Sequence, residues 1–222
     1  MTDVGATAAA VGYAGAVVVL LGVRSWRQKR ATGSSGFRGL AGMKSGWPAR
    51  VAGAGFLVAV LCGLASPVLA SLHVLPLLRL PQAWTGDGSL WAGLGVTGAS
   101  VALAVAGQQA MGESWRIGVD ATESTDLITH GVFRVVRNPI FTGLVGVQVG
   151  TALMAPTWLA VAGVTALVAA VEVQTRRVEE PYLITAHGPA YLRYADRTGR
   201  FVPRLGRLHL GGSTSAKGAR TV

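Results

Sequence analysis

The chain is short of charged residues, aromatic residues and cysteine. Charged residues make up 14% of its 222 residues and aromatic residues 7%, whereas an ordinary soluble domain is about a quarter charged. The single cysteine, Cys62, can form no disulfide within the chain. These shortages exclude a disordered chain, a disulfide-stabilised scaffold and most classes of soluble enzyme.

Hydrophobic residues and glycine are correspondingly abundant. Half of the residues are hydrophobic, 31 are glycine, and the mean hydropathy is +0.45. A helix needs about 20 apolar residues to cross the hydrocarbon core of a bilayer. Five stretches approach or reach that length: 4–23, 51–72, 89–112, 138–156 and the stretch from 157 to 171. We therefore predict an all-α integral membrane protein with about five transmembrane helices.

The last two apolar stretches are joined by Ala155-Pro156-Thr157 alone. Because proline disfavours helical backbone at the residue before it, the sequence predicts a C-terminal helical hairpin rather than one long helix. A hairpin brings its two ends together. The polar segment 113–137 and the polar residues that follow 176 are then expected to meet at one membrane face.

Basic residues are concentrated on one side of this predicted topology. The net charge is +10, and nineteen of the 20 Lys and Arg residues fall in the loop 24–50, in 113–137 or from 176 onwards, leaving only Arg79 elsewhere. The positive-inside rule then places the N-terminus outside and the C-terminus in the cytoplasm. We interpret the charge as a topology signal and an attraction to anionic membrane lipid, and we expect no nucleic-acid partner.

Small residues recur at helical spacing in the fourth stretch, where Gly146 and Gly150 form a GxxxG pair. Small residues let transmembrane helices approach closely. We interpret this pair as packing within one bundle rather than as a dimer face, and the oligomeric state stays open.

Polar residues suited to chemistry cluster on both sides of the hairpin, in 127–143 and 179–203. Arg137 precedes Asn138-Pro139 at the predicted start of the fourth helix, where proline is favourable. Free backbone N–H groups at a helix start, together with an arginine, favour an anionic group such as a carboxylate. The paired acids Glu179 and Glu180 suit hydroxyls or a cationic centre.

Aromatic residues and glycines complete this inventory. Aromatic rings can stack on an adenine or on a cation, and glycine permits close backbone approach. The residues in question are Phe133, Phe141, Tyr182, Tyr191, Gly131 and Gly143. A zwitterionic nucleoside with a cationic centre fits the set, and S-adenosylmethionine is one such molecule.

The two segments resemble the two motifs of the isoprenylcysteine carboxyl methyltransferase family, which is itself similar to the phospholipid N-methyltransferases. The first motif corresponds to Gly131-Val132-Phe133-Arg134 followed by Arg137-Asn138-Pro139-Ile140-Phe141-Thr142-Gly143. The second corresponds to Glu179-Glu180, Gly188, Tyr191-Leu192-Arg193-Tyr194 and Arg200-Phe201-Val202-Pro203. The resemblance covers residues 113 to about 204.

Three positions depart from the family pattern. Asn138 stands where the family has histidine, and Phe133 and Phe141 stand where it has tyrosine. Asparagine cannot titrate and phenylalanine has no hydroxyl. Direct proton transfer by these three side chains is therefore excluded, whereas contact with a cofactor remains possible.

The resemblance implies a membrane methyltransferase that uses S-adenosylmethionine and methylates a lipophilic small molecule or lipid. It implies Arg137 and Glu180 as catalytic residues. The cofactor-binding residues it implies are His130, Gly131, Phe133, Arg134, Arg137, Asn138, Pro139, Phe141, Gly143, Glu179, Glu180 and Tyr191. No spacing of histidine, cysteine and acidic residues indicates a metal site.

The acceptor is left open by the sequence. A carboxylate is already ionised at neutral pH and needs no base, whereas an amine must first lose a proton. His130, Glu179 and Glu180 are the only nearby candidates for a base. This scarcity favours a carboxylate acceptor of the isoprenylcysteine type. We also expect small residues such as Gly146 to leave room on the fourth helix for lateral entry of the acceptor.

These patterns divide the chain into three regions. Residues 1–112 are predicted to hold three transmembrane helices with the basic cytoplasmic loop 24–50. Residues 113–207 are predicted to form the methyltransferase-like cofactor-binding region with the hairpin, and 208–222 are predicted to form a flexible tail.

Other interpretations stand beside this one. The chain could be a membrane NADPH-dependent reductase of the sterol-reductase type or a non-catalytic membrane subunit. Individual residues also have structural interpretations: Arg134 and Arg137 as basic anchors at a helix end, Glu179 and Glu180 as partners of Arg176 and Arg177, Glu172 as a partner of Arg176, and Gln108 and Gln109 as helix-packing side chains.

Overall fold

The computed structural model describes residues 2–32, 46–73, 80–81, 86–112 and 126–208. Within these ranges the backbone is helical apart from turns, short irregular segments and isolated bridge residues such as the parallel pair Val136 and Gly199. The predicted all-α fold is confirmed. Outside the described residues lie 33–45 of the basic loop, 113–125 of the polar segment and 209–222 of the predicted tail.

The helices follow the apolar stretches of the sequence. The first half contains α1 (Thr2–Val17), a π-helical segment (Val18–Val23), α2 (Arg24–Thr32), α3 (Trp47–Ser71) and α4 (Asp87–Met111). The second half contains a 3₁₀ turn (Gly131–Arg134), α5 (Pro139–Met154), α6 (Trp158–Gln174), a second π-helical segment (Thr175–Glu179), α7 (Glu180–His187) and α8 (Pro189–Arg197).

Four helical stretches are long and apolar enough to cross a membrane: Val4–Arg27, Trp47–Ser71, Asp87–Met111 and Trp158–His187. The fifth predicted helix is α5, which has only 16 residues. At 1.5 Å per residue α5 is about 24 Å long, shorter than the roughly 30 Å hydrocarbon core. Of the five predicted transmembrane helices, four are thus long enough to cross a membrane and the fifth, α5, is a shorter apolar helix.

The turn between α5 and α6 is the predicted hairpin. Thr157 caps α6 by accepting a hydrogen bond from the backbone N–H of Ala160 at 3.0 Å. The Thr157 hydroxyl also lies 2.7 Å from the hydroxyl of Ser66 on α3, in a buried contact. However, α5 packs most extensively against α4, and α6 against α3. Each arm of the hairpin is therefore held mainly by an earlier helix.

Glycines on α5 form the contact surface with α4. A Cβ added at Gly143 would lie 2.6 Å from the backbone oxygen of Ser100, and one added at Gly150 would lie 2.7 Å from the backbone oxygen of Gly93. At Gly146 an added Cβ would collide with the Ser100 side chain. The prediction of packing within one bundle is confirmed. The expectation of free space for an acceptor at Gly146 is wrong, because α4 fills it.

One end of the bundle gathers the end of α4, the start of α5 and the end of α6, and we call it the site end. There the side-chain nitrogen of Gln108 donates to the Leu20 carbonyl of the first π-helical segment at 2.8 Å. Gln108 is thus a helix-packing residue, while Gln109 is exposed.

Exposed tryptophans lie near both ends of the long helices. Trp26 and Trp47 are near the site end, Trp91 and Trp158 are near the opposite end, and each is more than half exposed. Tryptophan is enriched at both membrane–water interfaces. These two belts agree with the lengths of the apolar helices.

Candidate functional site

The residues that follow α8 run beside the start of α5 and bind it through the backbone. We call residues 198–206 the clamp. The N–H of Arg137 donates to the carbonyl of Gly199 at 2.8 Å, and the N–H of Asn138 donates to the carbonyl of Arg200 at 3.0 Å. The hydroxyl of Thr142 donates to the carbonyl of Phe201 at 2.8 Å. The two motif segments that the hairpin was predicted to bring together do meet.

A buried ion cluster joins these segments to the start of α7. Nη2 of Arg137 donates to Oε1 of Glu180 at 2.7 Å. Arg200 binds the same carboxylate with two bonds, from Nε to Oε1 at 2.7 Å and from Nη2 to Oε2 at 2.9 Å. All three residues are at most 6% exposed. Such bidentate arginine–carboxylate pairs are strong and geometrically specific, so the cluster fixes three chain segments relative to one another.

Arg137 also holds the backbone around the cluster. Its Nη1 donates to the carbonyls of Ala195 at 2.9 Å and Thr198 at 2.5 Å, and its Nη2 donates to the carbonyl of Gly206 at 3.1 Å. Interpreting Arg137 as an exposed basic anchor is therefore wrong. Arg134, in contrast, is exposed, which fits either a basic anchor or a ligand contact.

The two adjacent acids have different surroundings. Glu180 pairs with Arg137 and Arg200 rather than with Arg176 or Arg177. Arg176 instead pairs with Glu172 one helical turn earlier, as one interpretation of the sequence held. Glu179 is half-buried and accepts a 3.3 Å hydrogen bond from Gln174. Within the described part of the chain, no ion pair involves Glu179.

The charges of the ion cluster do not cancel. Two guanidinium groups surround one carboxylate, so Arg137, Arg200 and Glu180 together carry one excess positive charge. Nε of Arg137 is buried and has no hydrogen-bond partner among the described residues. Because buried charge is costly unless it is paired, this surplus suits an anionic group.

The remaining predicted cofactor residues differ in exposure. His130 and Gly131 are exposed, and Gly131 has a φ of +59°, in the left-handed region that favours glycine. Asn138 is half-buried, and its amide nitrogen donates to the Arg200 carbonyl at 3.1 Å. Phe141 packs beside Phe56 with ring centroids 5.8 Å apart. Pro139 and Gly143 are buried in the contact between α4 and α5.

Phe133 and Tyr191 are both buried. The Tyr194 hydroxyl donates to the Phe133 carbonyl at 2.7 Å, and the Tyr191 and Tyr194 rings meet edge to face at 6.2 Å. Burial raises the pKa of the Tyr191 phenol to about 12 and also raises the pKa of Tyr194. Both phenols are therefore neutral at physiological pH, and these rings support the site from within.

Sequence reasoning missed the importance of Arg200. The residue belonged to the second motif but was not among the predicted site residues. Its hydrogen bonds to Glu180 raise its pKa further, so it is always charged. One signal was available, because Arg200 belongs to the second motif, which begins with the acids Glu179 and Glu180. The sequence alone did not show which of the two acids Arg200 would contact.

The family model of the phospholipid methyltransferases matches residues 89–190, a little under half of the chain. The matched region begins in α4 and includes α5, α6 and α7, so it covers the first motif and the paired acids. No curated protein matches the chain. The match confirms the resemblance to the related methyltransferases and does not confirm the isoprenylcysteine carboxyl subfamily. Over this region the chain is similar to the phospholipid methyltransferases, which favours methyl transfer over the reductase and the non-catalytic subunit.

Proposed function

We propose that the protein is an integral membrane methyltransferase that uses S-adenosylmethionine to methylate a lipophilic acceptor. The observation that carries the proposal is the ion pair between Arg137 and Glu180 at the site end of an apolar bundle. It joins the two motif segments that resemble methyltransferases. The family match over 89–190 supports the same reaction.

The residues at this site fit the proposed cofactor. S-adenosylmethionine carries a carboxylate, which the excess positive charge of the cluster suits. When bound, it supplies a methyl group on a sulfonium centre. His130, Gly131, Arg134, Asn138 and Glu179 are exposed or half-buried and are the residues that would hold it.

The remaining members of the proposed set act from within the protein. Arg137 and Glu180 form bonds mainly to each other, to Arg200 and to the backbone. We therefore propose them as positioning residues, which fix the segments that carry the exposed groups. Phe133, Pro139, Gly143 and Tyr191 are buried, and Phe141 is half-buried beside Phe56, so these residues would support the site by packing.

Two acceptor classes remain. A lipid carboxylate, the isoprenylcysteine type, is already ionised at neutral pH and needs no base. A phospholipid amine is favoured by the family match and requires a proton acceptor. Of the two adjacent acids, Glu179 is the one that no described arginine neutralises, so it is the residue that would accept a proton from an amine. Either nucleophile reacts only after it is oriented and stripped of water.

We further propose that the site end faces the cytoplasm, as the distribution of basic residues predicts. The cofactor is polar and would reach the site from the aqueous side, whereas the acceptor would arrive within the bilayer. The two then meet at the interface, beside α5 and the clamp.

The function is tested with purified protein in vesicles supplied with deuterium-labelled S-adenosylmethionine. One set of vesicles contains phosphatidylethanolamine and another contains a prenylated cysteine with a free carboxylate. A labelled methyl group on the amine or on the carboxylate identifies the acceptor by mass. If folded protein labels neither of these nor any component of a total lipid extract, the proposed activity is wrong.

A further inference from the structure

The clamp contains an exposed turn, Val202–Leu205, next to the buried ion cluster. The N–H of Leu205 donates to the carbonyl of Val202 at 3.1 Å, which closes the turn. Val202 is 51% exposed and Leu205 is 64% exposed, and Pro203 and Arg204 between them are exposed as well. The turn therefore presents two apolar side chains and one arginine to its surroundings.

The residue before the turn fixes its depth. Phe201 packs against the apolar cluster of Ala59, Leu167 and Val171, which belong to the long apolar helices α3 and α6. Its carbonyl accepts the hydroxyl of Thr142, which lies in the first turn of α5. Phe201 thus lies at the depth where α5 begins and α6 approaches its end, and the turn that follows begins at that level.

With the apolar helices across a bilayer, as their length and composition allow, this depth corresponds to the headgroup and glycerol region rather than to bulk water. Burial of apolar side chains at the boundary with the acyl chains is favourable in free energy. A guanidinium group pairs well with a phosphate. Arg204 adopts a φ of +67°, a conformation uncommon outside glycine. In the sequence, Arg204 stands between the exposed apolar residues Val202 and Leu205.

We propose that the turn Val202–Leu205 is a membrane-interface contact whose partner is the phospholipid headgroup region of the protein's own leaflet. Val202 and Leu205 insert among the headgroups, and Arg204 pairs with phosphate. The contact is linked to the ion cluster, since the N–H of Arg200 donates to the Leu205 carbonyl at 2.8 Å and Arg137 donates to the Gly206 carbonyl. The proposal does not depend on the proposed reaction.

The test uses a nitroxide spin label in phosphatidylcholine vesicles. The native cysteine is removed by Cys62→Ala, and single cysteines are introduced by Val202→Cys, Pro203→Cys and Leu205→Cys. Collisions with oxygen, which partitions into lipid, and with a water-soluble nickel chelate are measured for each label. Arg193→Cys, on the exposed face of α8, provides the control outside the turn.

We expect labels at 202 and 205 to show more oxygen collisions and fewer nickel collisions than the label at 193. If the Val202→Cys or the Leu205→Cys variant does not fold, the label at 203 still reports on the same turn. Equal or greater nickel accessibility at 202, 203 and 205 than at 193 would place the turn in water and overturn the proposal.

Discussion

Nη2 of Arg137 lies 2.7 Å from Oε1 of Glu180, although 43 residues separate the two in the chain. Arg137 precedes α5, Glu180 begins α7, and the hairpin between them returns the chain to the same end of the bundle. Arg200, from the clamp, completes the cluster. A single carboxylate thus holds the start of α5, the end of the hairpin and the clamp together.

Replacing Glu180 is expected to destabilise the fold. Glu180→Gln leaves two buried arginines without their anion, and removing one partner of a buried pair costs about 3–5 kcal/mol. Thermal unfolding in detergent, followed by circular dichroism, measures the loss. Glu172→Gln is the matched control, because the exposed pair of Glu172 with Arg176 is worth about 0–1 kcal/mol. Equal effects of the two substitutions would contradict a structural role for the cluster.

Arg200 is expected not to tolerate lysine. Arg200→Lys keeps the charge but cannot reproduce the two bonds that Nε and Nη2 make to Glu180. We expect a clear drop in the unfolding temperature and a loss of methyl transfer. Arg197→Lys, on an exposed residue of α8, is expected to change neither. A fully active and stable Arg200→Lys variant would show that the bidentate geometry is dispensable.

Asn138→His restores the residue typical of the resembled family, and we expect it to be tolerated. Asn138 is half-buried and makes one side-chain bond, to the Arg200 carbonyl. A histidine ring nitrogen can donate to the same carbonyl, so the unfolding temperature is expected to stay nearly constant. Methyl transfer is measured in parallel. Collapse of activity in a folded variant would mean that the pocket differs from that of the family.

Gly146→Leu is expected to separate α4 from α5. An added Cβ would already collide with Ser100, and overpacking of this kind costs about 1–3 kcal/mol. Gly98→Leu is the control, since an added Cβ at Gly98 meets nothing within 4 Å among the described atoms. The unfolding temperature should fall only for Gly146→Leu. A stable Gly146→Leu variant that has lost only methyl transfer would instead support an acceptor path along α5.

The sequence predicted the helices well because hydrophobic length is a local property. Each apolar stretch became a helix, and Ala155-Pro156-Thr157 became the turn between α5 and α6. Charge pairing was harder to predict. Glu180 has Arg176 four residues before it, yet it pairs with Arg137 and Arg200, because the π-helical segment Thr175–Glu179 precedes it and the clamp brings Arg200 back.

The prediction that the two segments meet is confirmed, whereas the roles of the individual site residues stay predictions. From residue type alone, Phe133, Tyr191 and Glu179 are all predicted to contact a ligand. In the folded chain the first two are buried and Glu179 is half-buried. Exposure depends on which helices pack together, and close packing of α5 on α4 at Gly143 and Gly150 was visible only as a pattern of small residues.

The most direct test of the central claim is calorimetric titration of S-adenosylhomocysteine, the demethylated product, into purified protein in detergent. The account predicts saturable binding by the wild-type chain. It also predicts clearly weaker binding by Glu179→Gln, with an unchanged unfolding temperature because no described ion pair depends on that carboxylate. Arg177→Gln, on an exposed residue of the same π-helical segment, should bind as the wild type does. Absence of binding to folded wild-type protein, or equal affinity in all three proteins, would contradict the assignment of a cofactor site to this end of the bundle.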